Sequence, residues 1–198
     1  MQHEAIFAIL KHNLFRRTGA MKMREWTTVD VLRHARHDWL NKVQLIKGYA
    51  SLNKMEKVKN IVEDIIREAQ QESKLSNLHL PEFAELLLTY NWEGHTVRIA
   101  YEILDVDRNV LPDDRELTGW MKNFFAIVEE AVDPNGDNRL SLSVSTLPSG
   151  ARFFFEFSGT IKKYGLLAGF LENDCPGMNV IHAYPQSAFP VEIIFLKA

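Results

Sequence analysis

Hydrophobic positions downstream of Thr27 recur at spacings of three, four and seven residues, which predicts an amphipathic helix. Thr27 followed by Asp30 is a capping arrangement, so the helix is predicted to begin there and to run to about Ala50. Its apolar stripe consists of Val29, Leu32, Trp39, Val43, Ile46 and Ala50. Only Arg36 interrupts this heptad pattern.

A second helix is predicted after a short break at residues 51–53. Asn53 is expected to cap it, with Glu56 at the reciprocal position. Its apolar positions are Met55, Val58, Val62, Ile65 and Ala69. Two heptad helices with so short a connection predict an antiparallel hairpin.

An isolated hairpin would leave half of each apolar stripe in water. Burial of that surface is worth about 25 cal/mol per Å², so we expect it to be covered. The sequence leaves two candidates for the surface that covers it. One is a second copy, which would complete a twofold four-helix bundle, and the other is the C-terminal half of the same chain.

The pattern changes beyond residue 78 and predicts a small α/β domain with a largely antiparallel sheet. Helices are predicted at 81–92 and 115–132, and strands at 95–104, 138–147, 151–159, 177–184 and 190–198. Pro148, Ser149 and Gly150 predict a tight turn between the second and third strands.

The fold class is therefore predicted as α+β, with a helical hairpin followed by an α/β domain. We divide the chain into a peripheral N-terminal extension at 1–26, the hairpin at 27–76 and the α/β domain at 77–198.

Composition excludes several classes of function. The chain has 23 basic and 26 acidic side chains and a net charge of -3, so nothing draws it to nucleic acid or to an anionic membrane. No run of about 18 apolar residues predicts a membrane span. Cys175 is the single cysteine, which fits a reducing compartment, and we expect a cytoplasmic protein.

The first helix carries His34 and His37. At 100° per residue, His37 lies roughly 150° from the mean direction of the apolar stripe, so it should face solvent. The same polar sector contains Arg33, His34, Asn41, Gln44 and Gly48. Three interpretations stay open, namely a zinc pair of His34 and His37, a solvated face without function, and a nucleophile at His37.

The nucleophile interpretation explains more of the neighbouring residues. In a neutral imidazole, one ring nitrogen has a free lone pair while the other donates a hydrogen bond, here to a neighbour such as Asp38. Arg36 and Lys42 lie on either side and would screen the charge of a phosphoryl group. Asp38 would alternatively pair with Lys42 four residues on, and the sequence does not choose between these roles.

The stretch RHDWLNKVQLIKGYASLNKMEKV, residues 36–58, resembles the dimerisation and phosphoacceptor hairpin of bacterial histidine kinases, particularly the citrate and malate sensors. From about Thr27 onward, the chain resembles the sporulation initiation phosphotransferases of endospore-forming bacilli. The motifs that carry this resemblance are the hairpin opening, ESKLSNL at 72–78, and Asn91-Trp92 before a strand.

This resemblance implies a homodimer with a four-helix bundle and a C-terminal domain like a degenerate kinase ATP-binding domain. It implies that His37 accepts a phosphoryl group from the aspartyl phosphate of a single-domain response regulator. His37 would pass it to the aspartate of a second regulator, a transcription factor that controls sporulation. The divalent metal would reside on the receiver, and no cofactor or metal is expected on this chain.

The resemblance also implies roles for the residues around His37. Arg36 and Asn41 would act beside His37 in catalysis. The surface predicted to contact receiver domains comprises Arg33, His34, Asn41, Gln44 and Leu45.

Two alternatives are kept. An ATP-dependent sensor kinase fragment would need an asparagine where Glu129 and Glu130 stand, and an aspartate where Ser158 stands. It would also need a glycine-rich phosphate lid, and no Gly-x-Gly occurs in the chain. The second alternative is a non-catalytic dimeric adaptor that only binds a receiver.

Overall fold

A computed structural model describes residues 26–172, 178–182 and 188–196. The predictions for the extension before residue 26 and for Cys175 lie outside these residues. Within them, a helical hairpin precedes a sheet with helices packed on it. The predicted combination of a hairpin and an α/β domain is confirmed.

Helix α1 spans Thr28–Ser51 and begins at the predicted cap. Thr27 Oγ1 accepts from the backbone N–H of Asp30 at 3.2 Å and donates to Asp30 Oδ2 at 2.7 Å. This reciprocal pair satisfies one of the free N–H groups of the first turn, so the prediction from the Thr27 and Asp30 spacing is confirmed.

Helix α2 spans Met55–Ser76, and the predicted cap at Asn53 is wrong. Lys54 occupies the N-cap position and makes no side-chain capping bond. Asn53 instead has φ of 53°, which lets the chain reverse while its N–H donates to the carbonyl of Ala50. Asn tolerates this left-handed conformation better than most residues, so its role here is in the turn.

The two helices do not pack along the stripe that the heptad pattern indicated. The half-buried side chains of α1 include Val31, Ala35, Lys42, Ile46 and Tyr49. Lys42 forms an ion pair with Glu68 of α2, so this stripe faces α2. The predicted stripe lies roughly 80° away around the helix.

Most of the predicted stripe is therefore exposed in the single chain. Leu32, Trp39 and Val43 are 55%, 56% and 50% exposed. This agrees with the expectation that an isolated hairpin leaves half of each apolar stripe in water. The periodic pattern did not reveal which of two neighbouring stripes of α1 meets α2. The apolar stripe remains available to another surface.

The sheet has five strands in the order β1-β2-β3-β5-β4. The strands are β1 at Val97–Ile103, β2 at Asn138–Leu147, β3 at Gly150–Ser158, β4 at Met178–His182 and β5 at Ala188–Leu196. Only the β1 and β2 pair is parallel. The prediction of a largely antiparallel sheet, with a tight turn between the second and third strands, is confirmed.

Helices cover one face of this sheet. They are α3 at Pro81–Tyr90, a 3-10 turn at Arg108–Val110, α4 at Asp114–Ala131 and α5 at Tyr164–Leu171. Helices α3 and α4 match predicted segments, whereas α5 was not predicted. Gly165 and Gly169 weaken its helical signal, but Leu167 and Leu171 are buried and Phe170 packs on Trp120.

The core is rich in aromatic rings from the middle strand and the helices over it. Phe153, Phe155 and Phe157 alternate along β3 and are fully buried. Phe155 contacts Phe124 of α4 at a centroid distance of 4.8 Å, and Phe153 contacts Phe83 of α3 at 5.9 Å. The core therefore binds α3 and α4 firmly to the sheet.

Strand β1 lies at an edge of the sheet, and side chains form hydrogen bonds with the backbone groups along its open side. Asn91, at the end of α3, donates from Nδ2 to the carbonyl of Ile99 at 2.7 Å and accepts from its N–H at 3.0 Å. Glu129 of α4 accepts from the N–H of Val97 at 2.8 Å. These contacts imitate a neighbouring strand.

The far end of β1 is bound to the hairpin. The N–H of Ile103 donates to Gln71 Oε1 at 2.7 Å, and Lys74 Nζ donates to the carbonyl of Ile103 at 3.0 Å. Both side chains come from α2, whose Leu75 is fully buried in the core of the α/β domain. The hairpin is thus fixed to the sheet through β1.

We predict that Asn91→Ala lowers the free energy of unfolding by about 1–3 kcal/mol, because it leaves two backbone groups of Ile99 without their partners. Urea denaturation measures this change. The matched control is Asn123→Ala on the exposed face of α4, which should stay within about 0.5 kcal/mol. Equal effects of the two substitutions would contradict the role of Asn91.

We also predict that stability falls between about pH 10 and 12, partly through Tyr101. Burial, followed by the charges of Glu72 and Glu68, raises the pKa of Tyr101 to about 12. Because the unfolded chain ionises near pH 10 and the folded chain later, stability is lost as pH rises through this window. Tyr101→Phe should show a smaller loss in urea denaturation from about pH 8 to about pH 11. An equal loss would contradict this prediction.

Candidate functional site

His37 lies in the middle of α1 with its side chain directed to solvent. The side chain is 74% exposed. This position follows from the helix, because the stripe that meets α2 and the exposed apolar stripe both lie roughly 140° from His37. The prediction that His37 faces away from the apolar stripe is confirmed.

Two side chains approach the same ring nitrogen of His37. Asn41 Nδ2 lies 3.2 Å from Nδ1, and Asp38 Oδ1 lies 3.6 Å from it. The Asn41 amide presents either its NH2 group or, turned by 180°, its carbonyl oxygen, so it can serve both tautomers of the imidazole. Nε2 forms no hydrogen bond within the described part of the chain.

The structure decides between the two partners, His37 and Lys42, that the sequence left open for Asp38. Lys42 pairs with Glu68 across the hairpin, so it does not pair with Asp38. Asp38 Oδ2 accepts instead from the indole Nε1–H of Trp92, at 3.1 Å. Arg36 is exposed and forms no ion pair within the described ranges.

Most of the residues predicted to contact a partner lie on the open face around His37. Asn41 and Gln44 are exposed, and Leu45 is 52% exposed. Arg33 is exposed and pairs with Asp30 at 3.0 Å. These side chains form a polar surface with an apolar edge.

His34 differs from the other residues of this group, because its ring contacts other parts of the same chain. It stacks on Trp92 with ring centroids 5.3 Å apart and meets Trp26 edge to face at 4.9 Å. His34 is half-buried, and its side chain is less accessible to a partner than those of Asn41 and Gln44. Whether it contacts a receiver stays a prediction.

Trp92 is the site neighbour that the sequence analysis missed. It stands 54 positions from Asp38 in the chain and reaches α1 from the loop after α3. Asn91-Trp92 is visible in the sequence as a family motif, but no local periodicity places it beside His37. The attachment of the hairpin to β1 and the ring contacts of Trp92 with His34 and Trp26 bring the two together.

Glu129 stands where the kinase alternative would need an asparagine, and here its side chain forms hydrogen bonds within the fold. The carboxylate of Glu129 accepts from the Tyr90 hydroxyl at 3.0 Å, from the N–H groups of Thr96 and Val97, and from the Thr96 hydroxyl. Burial, followed by the charge of Glu129, raises the pKa of Tyr90 above its ordinary value. The carboxylate of Glu129 thus connects α4 to α3 and β1 through hydrogen bonds.

The neighbouring positions are equally occupied by contacts within the fold. Glu130 pairs with Lys163 at 3.1 Å. Ser158 lies at the end of β3, where its backbone pairs with Arg139 and Ala188. Neither position supplies the amide or carboxylate that the kinase alternative requires.

Within the described residues, no group of three or more His, Cys, Asp or Glu side chains is placed to hold an ion. The ring of His34, the other member of the predicted zinc pair, stacks on Trp92. None of the helices in these ranges is long and apolar enough to span a membrane.

Comparison with known proteins gives two family matches that together span most of the chain. Residues 21–78 match the family described as the sensor kinase SpoOB-type alpha-helical domain. Residues 79–185 match the family described as sporulation initiation phospho-transferase B, C-terminal. The boundary between the matches lies two residues beyond the end of α2.

Among curated proteins, the chain is similar to sporulation initiation phosphotransferase B of Bacillus subtilis (strain 168). The two are 39% identical over 118 residues, which is 60% of this chain. The match spans 62% of the relative's own length.

Among solved structures, the chain is similar to the Acinetobacter baumannii histidine kinase AdeS, at 10% identity and a TM-score of 0.41 over 81% of this chain and 98% of that one. It is also similar to the histidine kinase ThkA in complex with the response regulator protein TrrA, at 10% identity and a TM-score of 0.42. That match covers 95% of this chain and 65% of the other. TM-scores at this level do not establish a shared fold.

Proposed function

This chain belongs to the sporulation initiation phosphotransferase B family, and from that premise we propose that it is a phosphorelay phosphotransferase acting through His37. The observation that carries the proposal is the geometry of His37. Its ring stands on an open helical face with 74% of the side chain exposed, and Nδ1 lies near Asn41 and Asp38. An imidazole placed in this way can both accept and donate a phosphoryl group.

The first step is transfer from an aspartyl phosphate to His37. The Nε2 lone pair attacks phosphorus, a P–N bond forms, and the bond from phosphorus to the donor's carboxylate oxygen breaks. The electron pair leaves with the donor's carboxylate. Positive charge develops on the imidazole, and Nδ1–H donates to Asn41 or Asp38 while Arg36 faces the phosphoryl oxygens.

The second step reverses these changes with another acceptor. An aspartate carboxylate of the second partner attacks phosphorus, the P–N bond breaks, and the electron pair returns to Nε2. Phosphoramidate and acyl phosphate have similar transfer potential, so the exchange needs in-line geometry and charge neutralisation rather than ATP.

The proposed donor and acceptor are receiver domains of response regulators, one a single-domain protein and the other a transcription factor that controls sporulation. Each receiver would bring its own aspartate and divalent metal, so this chain contributes no cofactor. The surface proposed to meet them consists of Arg33, Arg36, Asn41, Gln44 and Leu45, with His34 at its edge. The exposure of the first five supports this assignment.

We further propose that the protein acts as a homodimer in which two hairpins form a four-helix bundle. The exposed stripe of Leu32, Trp39 and Val43 supports this, because its members lie seven and four residues apart on one side of α1 and are at least half exposed in the single chain. A twofold axis along this stripe would bury it against its own copy and leave His37 outward.

We predict that His37→Gln abolishes labelling of the protein by a receiver domain that carries a radiolabelled aspartyl phosphate. The dimer should persist, because His37 faces away from the apolar stripe. The measurement follows label on the protein after mixing, with a second receiver added to test onward transfer.

The matched control is His79→Asn, an exposed histidine in the link between α2 and α3. Asn suits its left-handed backbone, so this variant should transfer normally. Labelling of the parent by ATP and magnesium alone would favour a kinase. Receiver binding without any labelling would favour an adaptor, and a His37→Gln variant that still passes phosphate would exclude His37.

We predict that Val43→Glu raises the dimer dissociation constant by roughly a hundredfold, because it buries an unpaired charge in the bundle. Sedimentation equilibrium measures this change. Leu45→Glu is the control, since Leu45 is equally exposed but points roughly 135° from the stripe. It should leave the dimer intact, and a monomer in both variants or in neither would contradict the proposed interface.

A further inference from the structure

The α/β domain makes a direct contact with the surroundings of His37 through Trp92. The indole Nε1–H of Trp92 donates to Asp38 Oδ2 at 3.1 Å, and the other oxygen of the same carboxylate lies 3.6 Å from His37 Nδ1. Asp38 is thus placed between a side chain of the second domain and the reacting histidine. Nothing in the chemistry of the transfer itself accounts for Trp92.

The orientation of Asp38 matters for the reactivity of His37. A carboxylate beside Nδ1 favours the tautomer that carries hydrogen on Nδ1, which leaves the Nε2 lone pair free for phosphorus. It also stabilises the imidazolium charge that grows as the P–N bond forms. An aspartate on an exposed helical face would otherwise exchange among rotamers, and most of these turn the carboxylate away from the ring.

Trp92 is itself held in place on three sides. Its backbone N–H donates to the carbonyl of Thr89 at 2.9 Å, and the preceding residue, Asn91, is bonded twice to Ile99 of β1. Its ring stacks on His34 and meets Trp26 edge to face at 5.3 Å. The indole N–H is therefore presented to Asp38 from a rigid part of the molecule.

We propose that Trp92 is a positioning residue for phosphoryl transfer, which acts by holding the Asp38 carboxylate beside Nδ1 of His37. This inference rests on the proposed function of His37 and gives the α/β domain a part in it. The domain orients the partner of the reacting imidazole instead of binding nucleotide.

The test compares two tryptophan substitutions in the 198-residue chain. Trp92→Phe keeps an aromatic ring for His34 but removes the N–H donor to Asp38. We expect the rate of transfer from a receiver domain charged with radiolabelled acetyl phosphate to fall about tenfold, the effect of one hydrogen bond to a charged group.

Trp26→Phe is the matched control. It removes an indole N–H of the same aromatic cluster, but that donor bonds to Glu93 at 3.0 Å rather than to Asp38. Its transfer rate should stay within about twofold of the parent's. A tenfold loss in both variants, or in neither, would overturn the specific role of Trp92.

A double-mutant cycle with Asp38→Asn shows whether Trp92 acts through Asp38. Once the carboxylate charge is gone, Trp92→Phe should cause little further loss. Full additivity of the two losses would mean that Trp92 affects transfer by another route, and the proposal would fail.

A measurement without phosphate separates this proposal from the function on which it rests. NMR of isotope-labelled imidazole nitrogens reports which nitrogen of neutral His37 carries the hydrogen. We expect the Nδ1–H fraction to fall in Trp92→Phe and to stay at the parent's level in Trp26→Phe. An unchanged fraction in Trp92→Phe would overturn the positioning role. If the fraction falls in Trp92→Phe but the parent protein accepts no phosphate, only the phosphotransferase function is refuted.

Discussion

The hydrogen bonds along the open side of β1 fix the geometry on which the rest of the structure depends. An edge strand has backbone groups without a neighbouring strand, and here they are bound by Asn91, Glu129, Gln71 and Lys74. Because these side chains come from three different helices, the same bonds that protect the edge also set the position of the hairpin against the sheet. Trp92 follows Asn91 directly, so this attachment brings the α/β domain within hydrogen-bond distance of α1.

Three faces of α1 then have separate roles. One stripe packs on α2, a second is apolar and exposed, and the third presents His37 to solvent. An apolar stripe of this length is unfavourable when it is exposed to water in a monomer. Its presence is consistent with a dimer that buries the stripe and leaves both copies of His37 exposed. In this arrangement, the interface and the proposed chemistry do not compete for the same residues.

Helical periodicity in the sequence was sufficient to predict the hairpin, the orientation of His37 and the cap at Thr27, because all three depend on contacts a few residues apart. The strand pattern likewise predicted the antiparallel hairpins of the sheet. The role of Asn53, the stripe that meets α2 and the helix at Tyr164–Leu171 were not predictable in this way. The stripe and the helix depend on tertiary packing, whereas Asn53 adopts a left-handed turn conformation that helical periodicity does not indicate. The hydrogen bond from Trp92 to Asp38 joins residues far apart in sequence, so the site was foreseen around His37 but without its support from the second domain.

Locating the phosphoryl group on the protein would show whether it is carried on His37. After brief exposure of the parent protein to a charged receiver domain, mass spectrometry of rapidly prepared peptides at alkaline pH would preserve a phosphohistidine. We expect a phosphoryl group on His37 that disappears when an uncharged receiver is added. Phosphate found stably on His34 or another side chain, or none on the protein while label passes between receivers, would contradict it.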